Sequence, residues 1–152
     1  MKFTPIALVG LSLALLVSFA FVTPTAEAQR DGGAEGELAA HMGDLKQSLR
    51  KLGGMVEDEA QMAASLEEIC RLQKVVIDAK SETPSTVSSI EDEKKQRKAA
   101  LKYRSTMQDL LRAFLDLESA VAAGDAKKAK KAMRAFDKLE SAGHSEFKPR
   151  NW

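Results

Sequence analysis

Beyond residue 36, apolar side chains recur every three or four positions and nowhere alternate, a spacing that predicts helices and no strands. Leu38, Leu45, Leu49 and Leu52 share one face of a helix expected over residues 37–52, and Gly53-Gly54 is expected to stop it. Met62, Leu66, Ile69, Leu72, Val76 and Ala79 form the stripe of a second helix over residues 57–80. Residues 81–89 hold Pro84 and several serines and threonines and read as the longest loop. A third helix is expected from Ser89 or Ile90, with Glu91-Asp92-Glu93 at the positive end of its dipole. Its inner positions are Leu101, Met107, Leu110, Leu111, Phe114, Leu117 and Val121, and Gly124 ends it. Asp125 then caps a fourth helix, with Ala129, Ala132, Met133, Phe136, Leu139, Gly143 and Phe147 inward and Pro149 as its stop.

Short connections between helices 1 and 2, and between 3 and 4, force those pairs antiparallel. The expected fold is therefore all-α, an antiparallel up-down-up-down four-helix bundle over residues 37–152. No segment repeats another at a fixed period.

The start of the chain breaks this pattern. Lys2 precedes an apolar run over residues 6–22, which Thr23 and Pro24 interrupt, and Ala26-Glu27-Ala28 follows as a small-x-small triplet. This is the layout of a signal peptide over residues 1–28, cleaved after Ala28; an uncleaved membrane anchor is the competing reading. Residues 29–36, with Gly32, Gly33 and Gly36, read as a flexible leader left after cleavage. Export is the expected fate. Net charge is +1 with the two signs interspersed, so the chain offers no field for nucleic acid or an anionic membrane. Cys70 stands alone, which rules out an intramolecular disulfide and a C-x-x-C-H attachment site, and it is expected at the core or its boundary. The lysines at 127, 128, 130 and 131 read as a solvated helix face.

Catalytic clusters are scarce. The expected mature chain has two histidines, His41 and His144, and no recognisable nucleophile arrangement. One pair has more content. Met42 falls in the first turns of helix 1 and His144 in the last turns of helix 4, and an up-down-up-down bundle puts those two ends together. A thioether and an imidazole facing each other form an axial pair for haem iron and raise its reduction potential. The same residues also read as a core filler and as a polar residue favoured by a helix dipole. The helical wheel does not choose between Met42 and His41, which flank the leucine stripe about equally because neighbours differ by about 100°.

At these residues the chain resembles the periplasmic cytochromes b562, over about residues 38–148. His41-Met42-Gly43-Asp44-Leu45-Lys46-Gln47-Ser48-Leu49 looks like the family's first helix, whose ligand methionine precedes leucines by three and seven residues. Thr83-Pro84 resembles its Thr-Pro turn, and Gly124-Asp125-Ala126-Lys127-Lys128-Ala129 its turn into helix 4. His144 falls where the family places its histidine ligand. Two departures stand out. The connection around Gly53-Gly54 is a few residues longer, and Met107 stands where such proteins often pack an aromatic side chain, with Tyr103 one turn away.

The resemblance implies a periplasmic electron-transfer protein with one non-covalent haem b. Met42 and His144 would be the iron ligands, and Leu45, Tyr103 and Met107, with Leu49, Phe136 and Phe147, the pocket wall. His41 in place of Met42 would give bis-histidine ligation at lower potential. Two axial ligands would close the iron, so no enzymatic role is expected. The expected partners are redox proteins, with no nucleic acid, no membrane anchor after signal cleavage, and a monomeric state. The alternative is a cofactor-free periplasmic bundle that binds a partner or is purely structural.

Overall fold

The structure is a computed structural model that describes residues 30–149, with side chains from residue 36 onward. The expected signal peptide lies outside the described residues. Among those residues every regular element is helical, and no helix is long and apolar enough to cross a membrane. Four long helices, α1 (Arg30–Met55), α2 (Met62–Ser81), α4 (Glu93–Ala122) and α5 (Ala126–Phe147), are joined by short connections. A single 3-10 turn, Glu59–Gln61, precedes α2, and the one-turn helix α3 (Ser85–Ser88) sits between α2 and α4.

Helix ends follow local chemistry. Asp92 accepts a hydrogen bond from the Lys95 backbone N–H at 2.9 Å and caps α4, while Asp125 does the same for Lys128 at 2.9 Å and caps α5. Between α4 and α5, Gly124 N–H donates to Val121 O and Asp125 N–H to Ala120 O, both at 2.9 Å. This paired closure satisfies carbonyls that the helix end would leave bare, and it requires the left-handed φ of +64° that Gly124 adopts. The residue that ends one helix is thus followed at once by the cap of the next.

Several expectations are corrected. Gly53-Gly54 does not stop α1, which continues to Met55; Leu52, Met55 and Val56 are buried, and their packing outweighs about 1 kcal/mol of lost propensity per glycine. The same helix begins at Arg30, within the segment expected to be a flexible leader. Glycine weakens a helical ladder without forbidding it, because it retains both its N–H and its C=O. The second helix starts at Met62 rather than at Glu57, after the 3-10 turn. The third starts at Glu93 rather than at Ser89 or Ile90, because Asp92 supplies the cap. Leu101, expected inside, is 62% exposed. Cys70, expected at the core or its boundary, is exposed: Ile69 and Leu72 take the inward positions, and a one-residue step rotates Cys70 off that face.

The core is densest around Phe114, Leu117, Ile69, Leu72 and Leu52, all without solvent exposure. Each such side chain contributes about 1.5–3 kcal/mol by leaving water. The Phe114 and Phe136 rings join α4 to α5 with centroids 4.5 Å apart. Pairings along the helices run in opposite sequence order. His41 meets Glu82 and Asp44 meets Arg71 between α1 and α2. Tyr103 meets Ala79 and Glu118 meets Gln73 between α2 and α4. Lys102 meets Glu146 and Phe114 meets Phe136 between α4 and α5. Helix α2 packs closely on α4, and α4 on α5, but α1 and α5 touch only sparsely.

Two glycine substitutions should move stability in opposite directions. A β-carbon at Gly124 would meet only Met62 Cε at 3.9 Å, so Gly124→Ala should cost about 1–2 kcal/mol through its backbone angle alone. Gly54 is helical with nothing within 4 Å of that position, so Gly54→Ala should add about 1 kcal/mol. Urea unfolding of the two variants measures both.

Candidate functional site

The sparse α1–α5 seam opens into a cavity of about 290 Å³. Met42, Leu45 and Leu49 line it from α1, Tyr103, Met107 and Leu110 from α4, and Phe136, Leu139 and His144 from α5. Pro84 and Ser85, at the start of α3, complete the wall, and no residue of α2 reaches it. All five residues singled out from the sequence, Met42, His144, Leu45, Tyr103 and Met107, therefore border one space. Met107 is buried, Met42 is half-buried, and the His144 side chain is 42% exposed. A mostly apolar wall with few polar groups is the usual make-up of a small-molecule site.

His41 does not line this cavity. Its Nδ1 lies 3.0 Å from Glu82 Oε1, across the junction of α1 and α2, although the two are not aligned as a hydrogen bond. The wheel left His41 and Met42 equivalent; packing of α1 against α2 separates them, giving one to the cavity and the other to Glu82. Burial pushes the Glu82 carboxyl above its ordinary range, and His41 works against that shift.

Two anchors hold the wall. Tyr103 Oη donates to Ala79 O at 2.7 Å, and its ring meets Phe147 edge-on with centroids 5.3 Å apart. Burial pushes the Tyr103 phenol up and the nearby Glu82 adds to the shift, so the hydroxyl stays a protonated donor. Thr86 Oγ1 donates to Phe147 O at 2.9 Å, which ties α3 to the last turn of α5, three residues from His144. This strap has no signature in the sequence, since residues 81–89 read only as a loop and Thr86 is one of several hydroxyls there. Glu82 and Glu140 were also missed, because a lone carboxylate among many carries no pattern.

On the outer face of α1 and α2, Arg71 joins three partners. Its guanidinium reaches Asp44 at 2.6 Å, Glu68 at 2.8 Å and Ser48 Oγ at 2.7 Å. Hydrogen bonds from Arg71 hold the Asp44 carboxyl below its ordinary range and bring Glu68 from 4.5 down to about 2. Among the described residues, no group of three or more His, Cys, Asp or Glu side chains is placed to hold a bare metal ion.

The family model described as Cytochrome b562 matches residues 37–148, which is most of the chain and takes in both Met42 and His144. The chain belongs to the cytochrome b562 family. Proteins of this family are haem-binding helical bundles that carry electrons in the periplasm, and the all-helical fold described above agrees with that membership. No curated protein and no solved structure matches the chain. As a member of the cytochrome b562 family, it places a thioether and an imidazole on the wall of one apolar cavity, a donor set suited to haem iron.

Two substitutions test the supports of the site. Tyr103→Phe leaves Ala79 O without that donor and should cost about 1 kcal/mol in thermal or urea unfolding. Arg71→Met should cost about 1 kcal/mol at pH 7. Because Glu68 is held down to about 2 in the folded chain, the unfolded chain takes up its proton first as pH falls. The Arg71 contribution is therefore complete above about pH 4.5 and fades toward pH 2, so parent and variant curves should converge there.

Proposed function

We propose that this protein is a periplasmic electron carrier that binds one haem b non-covalently, with Met42 and His144 as the axial ligands. The observation that carries this reading is that Met42, from α1, and His144, from α5, line the same apolar cavity although about a hundred residues of chain separate them. The opposite sequence order of the helix pairings supports an up-down-up-down bundle, the topology that makes such a meeting possible.

Haem iron bound by a thioether and an imidazole exchanges one electron and has a raised reduction potential. The chain's own residues do the rest. Met42 and His144, which line the cavity, would hold the iron, and Leu45, Tyr103, Met107, Phe136 and Phe147 on the same wall would keep water from it. Tyr103 and Thr86 fix the wall through their bonds to Ala79 and Phe147. Electron exchange with a partner protein forms and breaks no bond, so no catalytic side chain is required. Lys46 and Lys148 border the cavity and would be available to pair with carboxylates of the bound group.

The cavity, about 290 Å³, is at the small end of ligand sites, roughly 300–1,000 Å³. To admit haem, the α1–α5 seam, the least tightly packed contact between neighbouring long helices, would have to widen. The same small volume favours the second reading, a bundle of this family that works without haem. We further propose that the signal peptide is removed after Ala28 and that the mature protein is a monomer, which intact mass and light scattering measure directly.

A haemin titration of the purified protein separates the two readings. The electron-carrier reading expects a Soret band that saturates at one equivalent and sharp visible bands on reduction. Haemin at a hundred times its dissociation constant should add about 2.7 kcal/mol of stability, seen as a rise in melting temperature. A colourless protein with an unshifted melt would leave only the cofactor-free bundle. His144→Ala and Met42→Ala should each change the low-spin spectrum, whereas His41→Ala should not.

A further inference from the structure

We propose that Glu140 is a positioning residue for His144, and that Lys46 sets how strongly it acts. The proposal rests on the haem reading above and names what tunes that site.

Glu140 stands one turn before His144 on α5, the spacing at which helical side chains meet. Its Oε1 lies 3.8 Å from His144 Nδ1 and 3.7 Å from Lys46 Nζ, the latter reaching across the seam from α1. One carboxylate oxygen is thus placed between an imidazole nitrogen and an ammonium group, too far from each for a full hydrogen bond and near enough to both for attraction. All three side chains border the cavity. The next carboxylate along α5, Glu146 in its last turn, is engaged by Lys102 at 2.5 Å.

A carboxylate beside Nδ1 favours a proton on that nitrogen. The lone pair of Nε2 is then left free for a metal, and the ring orientation is restricted. Negative charge behind the ring also makes the imidazole a stronger donor, which stabilises ferric over ferrous iron and lowers the potential. Lys46 opposes this by drawing the same oxygen away. Because Lys46 belongs to α1 and Glu140 to α5, the competition also bridges the seam through which the cavity opens. The carboxylate therefore links two properties of the site, the electron richness of its histidine and the closure of its mouth.

The first measurement needs no haem. Nitrogen-15 NMR of the apoprotein at pH 8 should show His144 mainly protonated at Nδ1, and Glu140→Ala should shift the balance toward Nε2–H. The second uses the haem-loaded protein. Glu140→Gln should raise the reduction potential and speed haemin loss about tenfold. Lys46→Met should lower the potential, since the whole carboxylate then faces His144. Opposite signs from the two variants, together with the tautomer shift in the apoprotein, distinguish tuning of His144 from a merely structural contact or a bare charge effect. An unchanged His144 tautomer in Glu140→Ala, or potential shifts of the same sign in Glu140→Gln and Lys46→Met, would overturn the proposal. Failure of the parent protein to take up haemin would remove the haem reading instead, and the NMR comparison would still decide whether Glu140 governs His144.

Discussion

Burial of Phe114, Leu117, Ile69, Leu72 and Leu52 holds the helices together, and the cavity exists because this close fit does not extend to the α1–α5 seam. Protein interiors pack as densely as organic crystals, so a gap along one seam is a feature that the neighbouring side chains must keep open. Here the strong α2–α4 and α4–α5 contacts fix three helices as a frame. Helix α1 is bound to that frame mainly through α2. Its other flank is left to face α5 across the space that Met42 and His144 share.

The frame then has to control a histidine that sits only one turn from the end of α5. The last turn of a helix frays unless something holds it. Three contacts from outside α5 do so: Thr86 bonds Phe147 O, Tyr103 packs edge-on against the Phe147 ring, and Lys102 pairs with Glu146. Tyr103 is itself fixed by Ala79 O at the end of α2. The position of His144 is thus set by a chain of contacts through α2, α3 and α4, and α1 enters only through Lys46 and the cavity wall.

Charge is distributed to match. The closest polar contacts of α1 to other helices, those of His41 with Glu82 and of Asp44 with Arg71, lie on its α2 side, away from the cavity. On the cavity side the wall is largely apolar, and Lys46, Glu140 and Lys148 are the charged groups that border it. A site of low polarity with a few charges at its edge lets single groups influence a bound ligand more than they would in water. The surface lysines of α5 at positions 127, 128, 130 and 131 are exposed, as their interleaving with Ala129, Ala132 and Met133 implied.

The sequence by itself determined the existence of the four long helices, the stop at Gly124 and cap at Asp125 between the last two, and most of the apolar faces. These are set by residues close together in the chain or by the topology that short connections impose, so periodicity and local chemistry suffice to read them. Topology brought His144 to the same end of the bundle as Met42 and its neighbour His41, while Leu45, Tyr103 and Met107 as wall residues came from the family resemblance. Tertiary structure alone decided that α1 runs through Gly53-Gly54, that Leu101 and Cys70 face outward, and that His41 goes to Glu82 while Met42 goes to the cavity. It also decided the roles of Thr86 and Glu140. Each of these depends on which neighbouring helix a side chain meets, and a 100° step along a helix cannot be assigned to a partner until the partner is in place.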